Sequence, residues 1–213
     1  MLSQSCGEEQ TPVQEAQPEK IFEGTIVAVG DSLTEGLGVE EELAYPAVLE
    51  KKLHDLGYPY QVINAGISGE TSSGTLARIK WILTLKPDIV ILETGANDGL
   101  RGIPTHIIEE NITSAVKMLQ EKGTTVILAG MQIVQNLGPE YTKDFAGIYP
   151  DVAIKTGCDL IPFFLQGVAG EPSLNQADTI HPNEKGHIII QQTVLPFILK
   201  IVRQHSSNIP SGN

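Results

Sequence analysis

The 213-residue sequence is long enough to form one domain with a substantial hydrophobic core. Its formal net charge is -12 and its lysines and arginines form no cluster, which excludes the basic surface that nucleic-acid binding requires. No apolar segment is long enough for a transmembrane helix. No group of His, Cys and carboxylate residues has metal-ligand spacing, so we expect neither a metal nor another cofactor.

Residues 1–20 differ from the rest of the chain in composition and are predicted to form a disordered leader or linker. Glu, Gln, Pro and Ser dominate this segment, and apolar periodicity is almost absent from it. The stretch Leu2–Gly7 loosely resembles the end of a bacterial lipoprotein signal, in which Cys6 would be the lipidated residue, although no hydrophobic signal core precedes it. The alternative is that Cys6 is an incidental thiol on a flexible tail.

Five short apolar runs, separated by longer segments, predict the strands of a buried parallel sheet. The first, third and fourth runs are almost continuously aliphatic, which is typical of strands that are covered on both faces. The runs are Ile26–Val29, Gln61–Asn64, Ile89–Leu92, Val126–Ala129 and Asp159–Ile161.

The segments between and after these runs have the apolar spacing of helices. They are Tyr45–Leu56, Ser73–Leu83, Pro104–Lys122, Tyr141–Thr156 and Asn183–Val202. The alternation of strands and helices predicts right-handed βαβ units, and hence a three-layer α/β/α fold with a five-stranded, mostly parallel sheet. We expect a single domain over residues 21–205 and a flexible tail over residues 206–213.

Four polar blocks each follow one of the predicted strands. They are Gly30–Leu33 with Ser32, Asn64–Ser72 with Gly69, Gly95–Asp98 with Asn97, and Asp178–His181. Because the carboxyl ends of parallel strands share one edge of the sheet, we expect the four blocks to meet in one crevice. A serine, a histidine and an aspartate suit nucleophilic catalysis, since imidazole takes the proton of the serine Oγ and a carboxylate orients the imidazole.

Each block also has a purely structural interpretation when it is taken alone. Ser32 could cap the following helix, Gly69 could only serve the geometry of a turn, and Asn97–Gly99 is a turn pattern. His181 and Asp178 could be surface residues near a helix start. The joint order and placement of the blocks favour the catalytic interpretation over these alternatives.

In this order the four blocks resemble those of the GDSL/SGNH hydrolase superfamily, over about residues 24–202. The segments Gly95–Gly102, Ala146–Pro150 and Ile161–Phe164 are similar to its bacterial branch of multifunctional acyl-thioesterases, lysophospholipases and arylesterases. The resemblance implies a flavodoxin-like strand order. It also implies roles for five groups: Ser32 as nucleophile, His181 as general base, Asp178 as its partner, and an oxyanion hole formed by Ser32, Gly69 and Asn97.

The same resemblance implies serine-dependent hydrolysis of carboxylic esters and thioesters through an acyl-enzyme intermediate. The expected partner is a small acyl ester or thioester, with lysophospholipids among the candidates, and the expected state is a monomer. The tentative substrate-binding residues are Asp31, Leu100, Ile103, Ile133 and Val134. Two alternatives stay open: a carbohydrate O-acetyl esterase of the same superfamily, and a non-catalytic binding module that keeps the fold.

Two further expectations concern location and the remaining carboxylates. Members of the bacterial branch are often exported to the periplasm, so we expect an exported protein, anchored through Cys6 if a signal peptide once preceded it. The alternative is a cytoplasmic protein.

Asp31 and Asp98 flank the catalytic positions, and we interpret them as supporting or turn residues and not as the acid/base pair of a glycosidase.

Overall fold

A five-stranded parallel sheet forms the centre of the computed structural model, which describes residues 22–133 and 137–207. The strands are β1 (Gly24–Gly30), β2 (Tyr60–Gly66), β3 (Ile89–Glu93), β4 (Thr125–Ala129) and β5 (Asp159–Ile161). Their order is β2-β1-β3-β4-β5, and every neighbouring pair is parallel. The predicted α/β fold and flavodoxin-like strand order are therefore confirmed, and each predicted strand lies within the observed one.

Helices cover both faces of the sheet. In the described residues they are α1 (Ser32–Glu35), α2 (Tyr45–Asp55), α3 (Ser72–Thr84), α4 (Ala96–Leu100), α5 (Thr105–Gln120), α6 (Pro139–Thr156) and α7 (Glu184–Ser207), with a 3₁₀ helix at Glu41–Leu43. Two of them, α1 and α4, were not predicted. The last turn of α7 extends into the segment predicted as a tail, whereas residues 1–20 and 208–213 lie outside the described residues. No helix in the described ranges is long and apolar enough to cross a membrane.

The hydrophobic core lies on both faces of the three central strands. The side chains of Ile26–Val29 in β1, Ile89–Leu92 in β3 and Ile127–Ala129 in β4 are fully buried. Each buried aliphatic side chain of this size contributes about 1.5–3 kcal/mol relative to an exposed one. These strands therefore form a rigid base for the loops that leave their carboxyl ends.

The strand order reverses between β1 and β3. β1 and β3 are neighbours, but the chain continues from β1 to β2 on one side and from β3 to β4 on the other. The two connections diverge at this point, which is where ligands bind in open α/β sheets. Ser32 follows β1 and Asn97 follows β3, so both residues lie at this point.

Candidate active site

Ser32, His181 and Asp178 form a hydrogen-bonded chain at the carboxyl edge of the sheet. Ser32 begins α1 directly after β1, and the other two residues lie in the loop that precedes α7. The distance from Ser32 Oγ to His181 Nε2 is 2.9 Å, and that from His181 Nδ1 to Asp178 Oδ2 is 2.6 Å. The fold therefore brings the nucleophile candidate and the base candidate within the reach that proton transfer requires.

Asp178 is held in place by its own loop. Its Oδ1 accepts the backbone N–H groups of Ile180 and His181 at 2.9 and 3.0 Å. The hydrogen bond from the His181 backbone, followed by that from the His181 ring, lowers the pKa of Asp178 to about 2. An ionised Asp178 favours the His181 tautomer that carries its proton on Nδ1, which leaves Nε2 free to accept the proton of Ser32.

The turn that carries Ser32 is fixed by Asp31. Asp31 is the N-cap of α1, and its Oδ1 accepts the backbone N–H of Leu33 at 2.9 Å. The interpretation in which Ser32 caps this helix is therefore wrong. Asp31 Oδ2 accepts a hydrogen bond from Asn97 Nδ2 at 2.9 Å, and the side chain of Asp31 is buried. This geometry indicates a supporting role for Asp31 instead of the tentative substrate-binding one.

Three N–H groups at this edge are available to a developing oxyanion. Asn97 is the second residue of α4, and its amide keeps one N–H beyond the bond to Asp31. Among the described residues, no protein acceptor binds the backbone N–H of Ser32 or of Gly69. Unused donors beside a nucleophile are what an oxyanion hole requires. The Asn97–Gly99 turn pattern is in fact the middle of a short helix that presents the amide.

The loop that carries Gly69 is held on both sides. Gly69 has φ +76, a left-handed conformation that glycine adopts without the steric cost that other residues meet. The guanidinium of Arg101 donates to the Gly69 carbonyl at 3.0 Å, and the backbone N–H of Ile67 donates to the Gly30 carbonyl at 2.9 Å. The loop is thereby tied to the last residue of β1, which precedes the Ser32 turn, and to the C-terminal end of α4, the helix that carries Asn97.

An ion pair that the sequence analysis missed supports the same loop. Arg78 in α3 donates from Nε and Nη2 to the two carboxylate oxygens of Glu70, at 2.7 and 2.6 Å. Both side chains are largely buried, and Arg78 also donates to the Gly30 carbonyl at 3.3 Å. Glu70 follows Gly69 directly, so the ion pair links the loop that carries Gly69 to the turn that carries Ser32. A carboxylate next to the key glycine was the signal available in the sequence.

The other tentative substrate-binding residues lie in or beside α4. Leu100 is about half exposed, whereas Ile103 and Ile133 are partly buried against the core. Ile133 packs against α4 so closely that a Cβ added at Gly99 would lie 2.7 Å from its Cγ2. Val134 lies outside the described residues. Leu100 thus belongs to the helix that carries Asn97, and Ile103 and Ile133 lie next to that helix.

Asp98 has a structural function beneath this surface. It is buried, and it accepts hydrogen bonds from the backbone N–H and the hydroxyl of Ser72, both at 2.7 Å. Asn111 in α5 completes the cluster by donating to Ser72 Oγ at 3.0 Å. Within residues 22–133 and 137–207, no three His, Cys, Asp or Glu side chains are grouped so that they could hold a metal ion.

Comparisons with known proteins agree with this architecture. The family model of GDSL-like lipases/acylhydrolases matches residues 28–189. The chain is 43% identical to Esterase TesA of Pseudomonas aeruginosa over 159 residues, which cover 74% of this chain and 79% of the relative. It is 34% identical to an arylesterase of Vibrio mimicus over 176 residues, covering 82% and 88%. It is 32% identical to thioesterase 1/protease 1/lysophospholipase L1 of Escherichia coli K12 over 183 residues, covering 85% and 86%.

A solved structure shows the same fold. The psychrotrophic esterase EstA of Pseudoalteromonas, inhibited by monoethylphosphonate, superposes with a TM-score of 0.81 at 35% sequence identity. The match covers 85% of this chain and 100% of the EstA chain. The similarity therefore extends over the whole sheet and its helices and is not confined to a short motif.

Proposed function

The chain belongs to the GDSL-like lipase/acylhydrolase family and is an ester-hydrolysing enzyme, and we propose that it acts through an acyl-enzyme intermediate on Ser32. The observation that carries this proposal is the hydrogen-bonded chain from Ser32 through His181 to Asp178. A binding module that had lost catalysis would not need the hydrogen bonds among Ser32, His181 and Asp178, nor the free N–H donors beside them.

The proposed reaction has two halves that use the same groups. His181 Nε2 takes the proton of Ser32 Oγ as this oxygen attacks the acyl carbon, while Asp178 stabilises the imidazolium. The backbone N–H groups of Ser32 and Gly69 and the amide of Asn97 donate to the oxyanion. His181 then protonates the leaving alcohol or thiol. In the second half, water attacks the acyl-enzyme with His181 again as base and Ser32 as leaving group.

The proposed substrates are carboxylic esters and thioesters with short to medium acyl chains, and lysophospholipids. Ester and thioester cleavage need the same nucleophile, base and oxyanion donors, and the named activities of the relatives include both. Leu100 in α4, and Ile103 and Ile133 beside that helix, are apolar, which suits contact with an acyl chain. We further propose that the enzyme is an exported monomer. Cys6, the candidate anchor, lies outside the described residues.

The test measures kcat/KM for matched p-nitrophenyl esters and acyl-coenzyme A thioesters of increasing acyl length. Ser32→Ala should lose several orders of magnitude, down to about 10³–10⁴ above the uncatalysed rate. Ser173→Ala, an exposed serine on a turn, is the matched control and should behave as the wild type.

Labelling with a fluorophosphonate, read by mass spectrometry, should place the adduct on Ser32 alone. Turnover that persists in folded Ser32→Ala would remove Ser32 from the mechanism. Activity restricted to acetyl esters would favour the carbohydrate O-acetyl esterase, and no turnover by folded wild-type protein would favour the binding module.

A further inference from the structure

Glu93 is a fully buried carboxyl group at the end of a strand that is otherwise aliphatic. It is the last residue of β3, after Ile89–Leu92, and its exposure is 0%. No lysine or arginine forms an ion pair with it among the described residues. A buried carboxyl group without a cation is costly, so its presence requires a reason.

The contacts of Glu93 are with the turn that carries the nucleophile. Its Oε2 accepts the backbone N–H of Asp31 at 3.0 Å and the hydroxyl of Thr34 at 3.1 Å. These two residues stand on either side of Ser32 in the sequence. Packing is tight, because a Cβ added at Gly30 would lie 2.4 Å from Glu93 Oε2. Glu93 therefore bridges β3 and the nucleophile turn across the switch point of the sheet.

The surroundings of Glu93 favour its uncharged form. The carboxyl of Asp31 faces it, the phenols of Tyr45 and Tyr149 are the other titratable groups nearby, and Arg78 is occupied by its own carboxylate partner. Burial, and then the charge of Asp31, raise the pKa of Glu93 well above its ordinary value. Oε1 has no hydrogen-bond partner among the described residues, and the two hydrogen bonds to Oε2, which act in the opposite direction, are outweighed.

The neighbouring Asp31 is better suited to carry the charge. Burial raises the pKa of Asp31, but hydrogen bonds from the Leu33 backbone and the Asn97 amide act in the opposite direction. Of the pair, Glu93 has its pKa raised further, which favours the proton on Glu93 and the charge on Asp31. A second negative charge at this depth would oppose the negative charge that develops on the oxyanion.

We propose that Glu93 is a positioning residue and that it acts as an uncharged carboxylic acid. It holds the Ser32 turn directly, and it holds the Asn97 amide through Asp31, in the arrangement that the reaction requires. This inference rests on the roles proposed above for Ser32 and Asn97. Glu93 does not touch the reacting atoms. Its contribution is the fixed placement of the nucleophile and of one oxyanion donor, for which displacements of about 1 Å cost roughly 10²-fold in rate.

The first experiment compares Glu93→Met with Glu93→Gln in the full-length protein. Glu93→Met removes the acceptor and should lower kcat about 10²-fold with little change in KM, because positioning acts on the transition state. Glu93→Gln keeps the acceptor and the neutral state and should restore most of that loss. Wild-type kcat in Glu93→Met would overturn the positioning role, and a Glu93→Gln enzyme as slow as Glu93→Met would overturn the uncharged state.

A second variant serves if Glu93→Met does not fold. Thr34→Val removes one of the two donors to Glu93 Oε2 and keeps the shape of the side chain. It should lower kcat by about tenfold at unchanged KM, as expected for the loss of one buried hydrogen bond. An unaltered kcat in Thr34→Val would contradict the proposal.

The second experiment reads the charge of Glu93 without using activity. If Glu93 keeps its proton in the native state but releases it in the unfolded chain, the native state becomes less stable as the pH rises above the ordinary pKa of a glutamate. Above about pH 5, the unfolding equilibrium constant of the wild type, relative to that of Glu93→Gln, should rise by up to tenfold per pH unit until Glu93 ionises in the native state. Parallel curves would show that Glu93 is ionised and refute the proposal. If folded Ser32→Ala stayed active, the catalytic proposal would fail, whereas this measurement would stand.

Discussion

Asn97→Ala tests the oxyanion hole most directly. The substitution removes one of three donors and leaves the backbone N–H groups of Ser32 and Gly69 in place. It removes no hydrogen bond of the Ser32–His181 pair, because the side chain of Asn97 donates to Asp31. The expected consequence is a slower acyl transfer with an intact nucleophile.

The expected loss of activity follows from how the Asn97 amide interacts with the ground state and with the transition state. The loss of one oxyanion donor costs about 10²–10³ in kcat, equivalent to about 2.7–4 kcal/mol of transition-state stabilisation. KM should change little, because the donor interacts more strongly with the oxyanion than with the ground-state carbonyl. The lost bond to Asp31 Oδ2, at 2.9 Å in the wild type, should also destabilise the fold by about 1 kcal/mol.

The assay is steady-state hydrolysis of one p-nitrophenyl ester, with urea unfolding measured on the same preparations. Asn111→Ala is the matched control, since Asn111 also donates one hydrogen bond, to Ser72 Oγ at 3.0 Å, but lies on α5 away from the crevice. It should show a similar loss of stability with kcat close to the wild type. A large rise in KM at unchanged kcat in Asn97→Ala would refute the reasoning and make Asn97 a residue that binds the ground state.

Two further predictions concern stability. Glu70→Ala leaves Arg78 buried without its carboxylate and should lower the free energy of unfolding, measured in urea, by about 3–5 kcal/mol. Glu109→Ala breaks an exposed ion pair and should lower it by less than about 1 kcal/mol. Equal losses in the two variants would contradict the role of burial. Burial lowers the pKa of His187 to about 4, so the unfolded chain takes up a proton first as the pH falls. His187 should therefore contribute a loss of about 3 kcal/mol between roughly pH 6.5 and pH 4, measured as the difference between the wild type and His187→Gln. The same pH dependence in both proteins would exclude His187 as a source.

The sheet and the long helices could be predicted because their signals are local and redundant. Val126–Ala129 and Ile89–Leu92 are continuous aliphatic runs of the length of a strand, and both lie fully within observed strands. α1 and α4 were missed because four or five residues are too few to show a helical period. α4 also contains the asparagine, aspartate and glycine that ordinarily indicate turns, and α1 is flanked by Asp31 and Gly36.

The residues that support the candidate site required the fold, for a physical reason. Ser32 and His181 have chemical properties that make them candidates wherever they occur, so motif order was enough to propose them. Glu93 is ordinary in the sequence, and only the pairing of β1 with β3 places its carboxyl against the backbone N–H of Asp31. The one available signal was a carboxyl group that ends an aliphatic run buried on both faces. Such a carboxyl group cannot reach water, so it must be uncharged or paired with a cation or hydrogen-bond donors. Either state requires particular neighbouring side chains, and the apolar periodicity of the sequence does not reveal which residues these are.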